Sequence, residues 1–526
     1  MKKEIILLLS VFIAEILFGQ QKSIDEFDSE FLNWYNKDLV ENKVMGTSVD
    51  KTYNELLQDL TPKKTIIVAV IDGGVDIYHK ELEGKIWSNP NEIPNNGIDD
   101  DDNGYIDDIH GWNFIGNAKG ENVLLENLEY TRIVKSNDKS DKDYPVALAK
   151  HRKEVKKRKT QKENYESFKK NWEAAHSVIK ENTGITVESK KDALKVRSQD
   201  QRVLRSKNFL VSKYGQGVTS AMLEGLLTSN SEYLDFYLNT AFNARELVGD
   251  DPLNITDKFY GNNNVKGPNS DHGTSVAGVI AAIRDNGIGI NGIASNVKIM
   301  TVRSTPNGDE RDKDVALAIR YAVDNGADII NMSFGKDFSP QKEFVDAAVK
   351  HAEEQGVLMV HSSGNDGQDV DVNEKFPSKL YLDKTEPTNW LSVGATQLDL
   401  NKSICGAFSN YGVNQVDIFS PGVEVISLDS NNSYAQTSGT SIAAPILSGI
   451  AALVLSYYPD LTPQDLITIL TESSYKVAKP RKVFVPSLSD EKKKKAKFSA
   501  ISRSGGIVNA YNAFKYIEVN AINSKR

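Results

Sequence analysis

A run of β-branched and apolar residues at positions 65–71 is the sequence feature that most constrains the fold. It reads Thr-Ile-Ile-Val-Ala-Val-Ile and ends at Asp72 and Gly73. A strand without polar alternation is buried on both faces, which is typical of a parallel sheet covered by helices. Similar short runs recur at positions 297–302, 328–332, 357–361 and 391–393.

Helical patterns lie between these runs. One spans 314–325 and is followed by Gly326, and another spans 341–355 and is followed by Gly356, a residue type that commonly ends helices. Strands alternating with helices predict an α/β fold with a mostly parallel sheet. Ligands bind such folds at the carboxyl ends of the strands, where Asp72 and Asn365 lie.

Three short segments place an acid, a base and a hydroxyl in one chain. They are Val-Ile-Asp-Gly-Gly-Val-Asp around Asp72, His-Gly-Thr-Ser-Val-Ala-Gly beginning at His272, and Gly-Thr-Ser-Ile-Ala-Ala-Pro around Ser441. Ser441 opens an apolar helix, where unpaired backbone N–H groups suit a nucleophile that forms an oxyanion. His272 can take its proton, and Asp72 can orient the imidazole. A single serine here is commonly an N-cap, but the small residues beside Ser441 favour the nucleophile.

Two further polar residues, Asn365 and Asp76, lie in sequences that are less specific for this chemistry. Asn365 stands in Ser-Gly-Asn-Asp after the run that ends at 361, and its amide can donate to the same oxyanion. That sequence also suits an ordinary turn. Asp76 lies further along the turn than Asp72, so we expect it to be a poorer partner for the histidine.

Together, the three segments, their order and the Ser-Gly-Asn sequence closely resemble the subtilisin-like serine proteases. The resemblance covers roughly 64–112 and 268–475, with a further match at 505–510. It implies a three-layer subtilisin-like fold and a serine endopeptidase that works through an acyl-enzyme on Ser441. His272 would be the general base, Asp72 its orienter and Asn365 the oxyanion donor. Ser275 departs from the family pattern, because a second histidine is frequent at that place.

The resemblance also implies two walls of a cleft for polypeptide substrates, which would add to the protein as a strand. The first wall is Ser333, Phe334 and Gly335, and the second is Ser362, Ser363 and Gly364. Phe334 replaces a leucine that is common in the family.

The distance from Asp72 to His272 is unusually long for the family, and it predicts an insertion. We expect a catalytic domain of residues 61–116 and 263–515, a mainly helical insertion of 117–262 and a tail of 516–526. The insertion contains a basic stretch at 150–162 and an apolar stripe at helical spacing, formed by Tyr165, Phe168, Trp172, Ala175 and Ile179. Such a stripe usually packs in a core, and the alternative is a lid or exosite that controls access to the site.

The first 20 residues predict a signal peptide. Lys2 and Lys3 precede an apolar run at 5–18, which is short for a membrane span. We therefore expect an exported protein, periplasmic or extracellular, without a stable membrane span after cleavage; the alternative is an uncleaved anchor. Residues 21–60 would be a short extension, too short for the family's usual prodomain.

Charge and cysteine content restrict the partners and the chemistry. The formal net charge of -9 argues weakly against nucleic acid, and we expect a monomer. Cys405 is the only cysteine, so no intrachain disulfide forms. A thiol nucleophile is the alternative to Ser441, but no base or cation adjoins Cys405 in the sequence, which favours a packed structural thiol.

The acidic run at 99–108, Asp-Asp-Asp-Asp-Asn-Gly-Tyr-Ile-Asp-Asp, predicts a structural calcium site. Its spacing follows the first part of a calcium loop, with a glycine at the sharp turn, although the acid at position 12 is missing. The expected ligands are Asp99, Asp101, Asn103, Tyr105, Asp107 and Asp108. A solvated acidic turn is the alternative. Family resemblance suggests a second, looser calcium candidate at Glu81 and the loop 285–289.

Two other functions remain open at this stage. One is a catalytically silent or gated binding module on the same fold, which requires the insertion to block the cleft or distort the pairing of Asp72 with His272. The other is a chaperone or adaptor that acts through the basic helical insertion.

Overall fold

The computed structural model describes residues 22–479, 481–489 and 494–520. The predicted signal peptide lies outside the described residues. The described part of the chain forms two compact units: one comprises the residues up to Leu124 together with those from Ala244 onward, and the other is Leu125–Asn243.

A nine-stranded sheet organises the first unit. Its strands are β1 (Ile66–Asp72), β2 (Gly111–Asn113), β3 (Val297–Arg303), β4 (Ile329–Met332), β5 (Leu358–Ser362), β6 (Trp390–Thr396), β7 (Ile418–Pro421), β10 (Tyr475–Lys476) and β13 (Gly506–Ile507). Their order in the sheet is β10-β13-β7-β6-β5-β4-β1-β3-β2. All neighbours pair in parallel except β10 with β13. The predicted α/β class with a mostly parallel sheet is therefore confirmed.

The five apolar runs in the sequence form five neighbouring central strands, β3, β1, β4, β5 and β6. Two hairpins lie outside this sheet: β8 (Val425–Asp429) with β9 (Ser433–Thr437), and β11 (Val483–Phe484) with β12 (Lys495–Ala496). The hairpin of β8 and β9 leads directly into the Ser441 segment.

Helices cover both faces of the sheet. Those of the first unit are Leu39–Asn42, Val49–Glu55, Arg245–Val248, Asp271–Ala281, Asp312–Asp324, Lys342–Glu354, Thr440–Tyr457, Pro463–Glu472 and Ala510–Asn520. The last one runs across the predicted boundary at 515. Thr440–Tyr457 is the one described helix long and apolar enough to cross a membrane, and 94% of that window is buried inside the protein. Its apolarity is explained by its place in the core, where it contacts β4, β5, β6 and β7.

Residues 22–60, predicted as a short extension, pack into the core of the first unit. Trp34 and Tyr35 are fully buried, and the Tyr35 hydroxyl donates to the carbonyl of Asn291 at 2.9 Å. The Trp34 indole donates to the carbonyl of Glu424 at 3.2 Å. This segment is therefore an integral part of the unit that holds the sheet.

The second unit is helical, as its sequence pattern suggests. Its α-helices are Glu129–Ser136, Tyr144–Thr183, Lys190–Lys195, Gln201–Tyr214 and Ser220–Glu232. The stripe residues Trp172, Ala175 and Ile179 are buried in its core. Arg158, inside the basic stretch, is also buried and lies 2.8 Å from Glu154.

The two ends of the predicted insertion belong to the first unit rather than to the second. Asn113 and Asn262 exchange backbone hydrogen bonds at 2.9 and 3.2 Å. The Asn117 side chain donates to the carbonyl of Leu247 at 2.9 Å. The separate helical unit is therefore shorter than the predicted insertion of 117–262.

Candidate active site

Asp72 and His272 form a hydrogen-bonded pair at the carboxyl end of β1. His272 Nδ1 lies 2.9 Å from both carboxylate oxygens of Asp72. Burial lowers the pKa of His272, but the attraction of the Asp72 carboxylate and the hydrogen bond to it raise this pKa overall. The imidazole is thus fixed with Nδ1 toward the acid, which leaves Nε2 for proton transfer.

Glycines let the His272 helix approach the turn after β1. A Cβ on Gly273 would lie 2.1 Å from the carbonyl oxygen of Gly74, and Gly74 has a φ of +128°. Any larger residue at either place would push the helix away from Asp72 or strain the turn. Gly273 therefore allows the close contact between Asp72 and His272.

Ser441 lies in the first turn of the Thr440–Tyr457 helix, beside the Asn365 amide. A Cβ placed on Gly439 would be 2.8 Å from Ser441 Oγ and 3.5 Å from Asn365 Nδ2. The hydroxyl and the amide nitrogen therefore border the same small space, which stays open because residue 439 is glycine.

Thr440 sets the orientation of the Asn365 amide. The backbone N–H and the hydroxyl of Thr440 both donate to Asn365 Oδ1 at 2.9 Å. The Thr440 hydroxyl in turn accepts from the N–H of Gly364 at 3.1 Å. With the amide oxygen occupied, the Nδ2 donor is the group left to face the space beside Ser441.

A buried chain of side chains holds the Ser441 backbone. Pro445 has no N–H, so it cannot donate to the carbonyl of Ser441 as a helix would require. Ser333 Oγ donates to that carbonyl instead, at 2.8 Å. Asn331 Nδ2 donates to Ser333 Oγ at 2.9 Å, and Ser448 donates to Asn331 Oδ1 at 2.9 Å.

The two predicted substrate walls leave adjacent strands. Ser333, Phe334 and Gly335 follow β4, whereas Ser362 ends β5 and is followed by Ser363 and Gly364. His361, beneath the walls, hydrogen-bonds to the Phe334 carbonyl at 2.9 Å. Burial lowers the pKa of His361 to about 4, so a neutral ring makes this contact at neutral pH.

Asn410 is a structural residue of the site that the sequence patterns did not indicate. Its Nδ2 donates to the carbonyl of Ser363 at 2.9 Å, and its Oδ1 accepts from the N–H of Asp366 at 3.1 Å. It thereby clamps the loop that carries Asn365. Asn410 stands in a turn-like Ser-Asn-Tyr-Gly sequence, which gives no signal of this role.

Asp76 and Cys405 have surroundings that differ from those of the pair of Asp72 and His272. Asp76 accepts from the N–H of Asn431 at 2.8 Å and pairs with Lys266 at 3.0 Å. Cys405 is buried, and burial raises the pKa of its thiol. Asp76 therefore ties loops together, and Cys405 has the environment of a packed thiol.

The acidic loop uses several of its carboxylates to hold its own backbone. Asp99 accepts from the N–H of Gly104 at 2.7 Å, and Asp107 accepts from the N–H of Gly97 at 2.9 Å. Asn103 Oδ1 accepts from the N–H of Tyr105 at 2.8 Å. The ring of Tyr105 is buried among aromatic side chains, including Trp112 at a centroid distance of 5.1 Å.

Asp108 lies near Asp101, because Asn89 Nδ2 donates to both carboxylates, and it also accepts from Asn103 Nδ2 at 3.2 Å. It is fully buried and accepts from the Tyr321 hydroxyl at 2.5 Å and from Asn89 Nδ2 at 2.8 Å. Burial raises the pKa of Asp108 to about 6. Asp107 and Asp108 both accept hydrogen bonds from protein groups, as Asp99 does.

Glu92 joins the acidic cluster, although the calcium-loop pattern does not reach it. One carboxylate oxygen each from Glu92, Asp99 and Asp101 lie within 4.8 Å of one another. Glu92 is 7% exposed, and its Oε2 has no hydrogen-bond partner in the part of the chain that the structure describes. A buried, unpartnered carboxylate oxygen beside two other carboxylates fits a divalent cation.

The second calcium candidate also brings its predicted segments together. Glu81 is fully buried and accepts from the N–H of Ile290 at 3.0 Å. A Cβ on Gly289 would lie 1.6 Å from Glu81 Oε1, so only glycine fits there. Burial raises the pKa of Glu81 to about 7.

Comparison with known proteins identifies the family. The model of the subtilase family matches residues 63–505, and the chain belongs to this family. The resemblance inferred from the three segments is thereby confirmed.

Individual relatives match shorter stretches. A thermophilic serine proteinase of Bacillus sp. (strain AK1) is 39% identical over 189 residues, covering 36% of this chain and 43% of that protein. Subtilisin DY of Bacillus licheniformis is 32% identical over 207 residues, covering 39% of this chain and 70% of that protein. A cold-adapted subtilisin-like serine proteinase of known crystal structure is 29% identical, with a TM-score of 0.36, and the match covers 45% of this chain and 80% of that one. The chain spans about half the length of the first curated relatives, 43% and 47%.

Proposed function

We propose that this chain is a serine endopeptidase. The observation that carries the proposal is the pairing of His272 with Asp72 together with the placement of the Asn365 amide beside the Ser441 hydroxyl. The printed description of the Bacillus AK1 relative as a serine proteinase supports the same reaction.

In the proposed mechanism, Ser441 Oγ attacks the carbonyl carbon of a peptide bond while His272 Nε2 takes its proton. Asp72 stabilises the resulting imidazolium through Nδ1–H. The Asn365 amide and the N–H of Ser441 donate to the oxyanion. His272 then returns the proton to the leaving amine, and water activated by the same imidazole hydrolyses the acyl-enzyme.

A fluorophosphonate probe and a peptidase assay test the proposal together. We expect the protein to be labelled at Ser441 and to cleave unfolded polypeptides, and Ser441→Ala to lose both properties while keeping its melting temperature. Ser438→Ala, which changes a nearby serine of the same segment, is the matched control for labelling. Peptidase activity that survives in Ser441→Ala would refute the assignment, and an unlabelled native protein would favour the silent or gated binding module.

We further propose that the acidic loop binds a structural calcium ion. Glu92, Asp99 and Asp101 would supply carboxylate oxygens, and the unpartnered Glu92 Oε2 supports this choice. Calcium bound there would neutralise carboxylates that otherwise repel one another. Asp107 and Asp108 would hold the loop in place through their hydrogen bonds to Gly97, Asn89 and Tyr321.

Export is part of the same proposal. The predicted signal peptide supports a periplasmic or extracellular location, as does the printed name of the cell wall-associated protease of Bacillus subtilis (strain 168), which is 34% identical over 231 residues. The substrates would then be polypeptides outside the cytoplasm.

A further inference from the structure

Arg303 is a buried arginine at the carboxyl end of β3, next to the proposed catalytic acid. It is the last residue of that strand and pairs in register with Asp72, the last residue of β1. Its neighbour on the other side is Asn113, the last residue of β2. The side chain is 1% exposed, although arginine is rarely buried without a charged partner. The guanidinium group is therefore held among protein atoms beside the site.

The donors of Arg303 are directed to backbone carbonyls and one side-chain amide. Nε donates to the carbonyl of Gly73 at 2.7 Å, and Nη2 donates to the carbonyl of Val123 at 2.6 Å. Nη1 donates to Asn113 Oδ1 at 3.0 Å and to the carbonyl of Ile115 at 3.4 Å. Among the described residues, no charged side chain pairs with this guanidinium. The group therefore joins the turn after β1 to the segment that follows β2.

Gly73 connects the guanidinium to the acid. Its N–H donates to Asp72 Oδ1 at 2.7 Å, while its carbonyl accepts from Arg303. Glycine has more backbone freedom than any other residue, so a contact from outside the turn is needed to fix its orientation. Arg303 thereby fixes the backbone of the residue whose N–H orients the Asp72 carboxylate.

The entry segment, residues 113–124, leads from β2 to the helical unit and holds the other end of the guanidinium. It is anchored in the first unit, because the N–H of Asn307 donates to the carbonyl of Leu124 at 2.8 Å. The loop before the His272 helix packs on the same group, since a Cβ on Gly267 would lie 2.3 Å from Arg303 Nε. The arginine is thus enclosed by three segments, of which one carries the acid.

We propose that Arg303 is a positioning residue for the catalytic acid: it holds Gly73 so that Asp72 presents both carboxylate oxygens to the His272 imidazole. The inference rests on the proposed peptidase function, in which Asp72 stabilises the imidazolium. Because the planar fork donates to four acceptors, the same side chain connects the acid to the entry segment. Burial lowers the pKa of Arg303 to about 9, so the guanidinium keeps all its donors at neutral pH.

The pKa of His272, measured by NMR titration in Ser441→Ala protein, tests the proposal without turnover. Adding Arg303→Met should lower this pKa by about 0.5 or more, because a misplaced carboxylate stabilises the imidazolium less. Loss of the positive charge by itself has the opposite sign and would raise the pKa of His272. Arg303→Lys keeps the charge but replaces the planar fork by one ammonium group, so it should lower the pKa by a smaller amount.

Steady-state kinetics in the active protein provide a second readout. Arg303→Met should lower kcat about ten- to a hundredfold and change KM little, since Arg303 acts on the base and not on the substrate. Arg284→Met is the matched control, because the Arg284 side chain is 8% exposed and donates to the carbonyl of Gly292 at 2.6 Å. It should lower the melting temperature and leave the pKa of His272 unchanged.

Two outcomes would overturn the proposal. One is an unchanged or raised pKa of His272 in Arg303→Met that is folded, as judged by circular dichroism and a cooperative melting transition. The other, which applies if Arg303→Met does not fold, is an unchanged or raised pKa of His272 in Arg303→Lys. If the wild type cleaves nothing but the pKa of His272 falls in Arg303→Met, the peptidase proposal fails and the positioning of Asp72 by Arg303 stands.

Discussion

The hydroxyl of Ser333 donates a hydrogen bond to the backbone carbonyl of Ser441, at 2.8 Å. This bond replaces the helical one that Pro445 cannot make, and it joins the first predicted substrate wall to the helix of the proposed nucleophile. A single contact therefore connects the predicted binding segment to the proposed nucleophile.

Removing this contact should impair both activity and stability. In Ser333→Ala, the Ser441 carbonyl loses this donor, and because Ser441 is half-buried we expect a cost of about 1 kcal/mol, the lower end of the range for an unsatisfied polar group. We expect a lower melting temperature and a lower kcat/KM. Pro445→Ala restores an N–H that can donate to the same carbonyl, so the double variant should recover part of the loss; equal damage in the single and double variants would contradict this account.

Removing the Asn365 donor should lower kcat more than it changes KM. We expect Asn365→Leu to reduce kcat by about 10²–10³, the range known for a side-chain oxyanion donor of a subtilisin, because the amide stabilises charge that is absent from the ground state. Thr440→Val, which frees Asn365 Oδ1 from one of its two donors, should cause a smaller loss. Steady-state kinetics on one substrate measure both, and a change confined to KM would argue against the oxyanion role.

The dependence of kcat/KM on pH should have an acidic limb that reflects protonation of His272. The proposed base must be neutral, and its pKa is raised above the ordinary value of 6.5. The value of kcat/KM should therefore fall as the pH drops through this raised pKa. Asp72→Asn removes the main stabilisation of the imidazolium, so the limb should move to lower pH while the rate above it falls by about 10⁴. If the acidic limb of kcat/KM stays at the same pH in Asp72→Asn, the titrating group is not His272.

The carboxyl pair of Asp429 and Asp271 should make stability fall as the pH rises. Burial and the neighbouring Asp271 raise the pKa of Asp429 from 3.8 to about 6. The folded state keeps this proton between the two values and the unfolded state does not, so the free energy of unfolding decreases across that window. Asp429→Asn should flatten the dependence of the melting temperature on pH between 4 and 6, whereas Asp383→Asn should leave it unchanged. If the slope of the melting temperature against pH is unaltered in Asp429→Asn, the pair of Asp429 and Asp271 is not the source of that slope.

Calcium removal should destabilise the protein through the acidic loop. Calcium at 100 times its Kd adds about 2.7 kcal/mol to the stability of the folded state, so a chelator should lower the melting temperature. Glu92→Gln and Asp101→Asn should each abolish most of this shift. Asp102→Asn changes an exposed carboxylate of the same loop and should retain it. If chelation shifts Asp101→Asn as much as the wild type, calcium binds elsewhere.

The sequence predicted the parts of the fold that depend on local pattern. Residues 65–71 and the four similar runs became central strands because burial on both faces demands continuous apolar sequence. The edge strands β2 and β10 have only three and two residues, and no periodicity develops over so short a length. The pairing of Asp72 with His272 followed from the segments, whereas its support by Gly273 against Gly74 is a tertiary contact.

The rest of the site also depends on tertiary contacts, which local sequence patterns do not predict. Asn410 contacts Ser363, 47 residues away, and Glu92 lies beside Asp99 and Asp101, seven and nine residues away. Nothing in the immediate sequence of either residue indicates these contacts. Ser333 donates to a carbonyl 108 residues further along the chain, so no local pattern indicates this hydrogen bond.

The hydrogen bond between Asn117 and Leu247 affects which insertions this part of the chain can accept during evolution. It holds the chain close together just before and just after the helical unit, so the two points where that unit joins the first unit are already adjacent. The loop-closure cost of the enclosed residues rises only slowly with their number, by about 0.6 kcal/mol for each doubling. A unit of this kind can be exchanged, enlarged or replaced by a short turn while β1, β2 and the His272 helix keep their register.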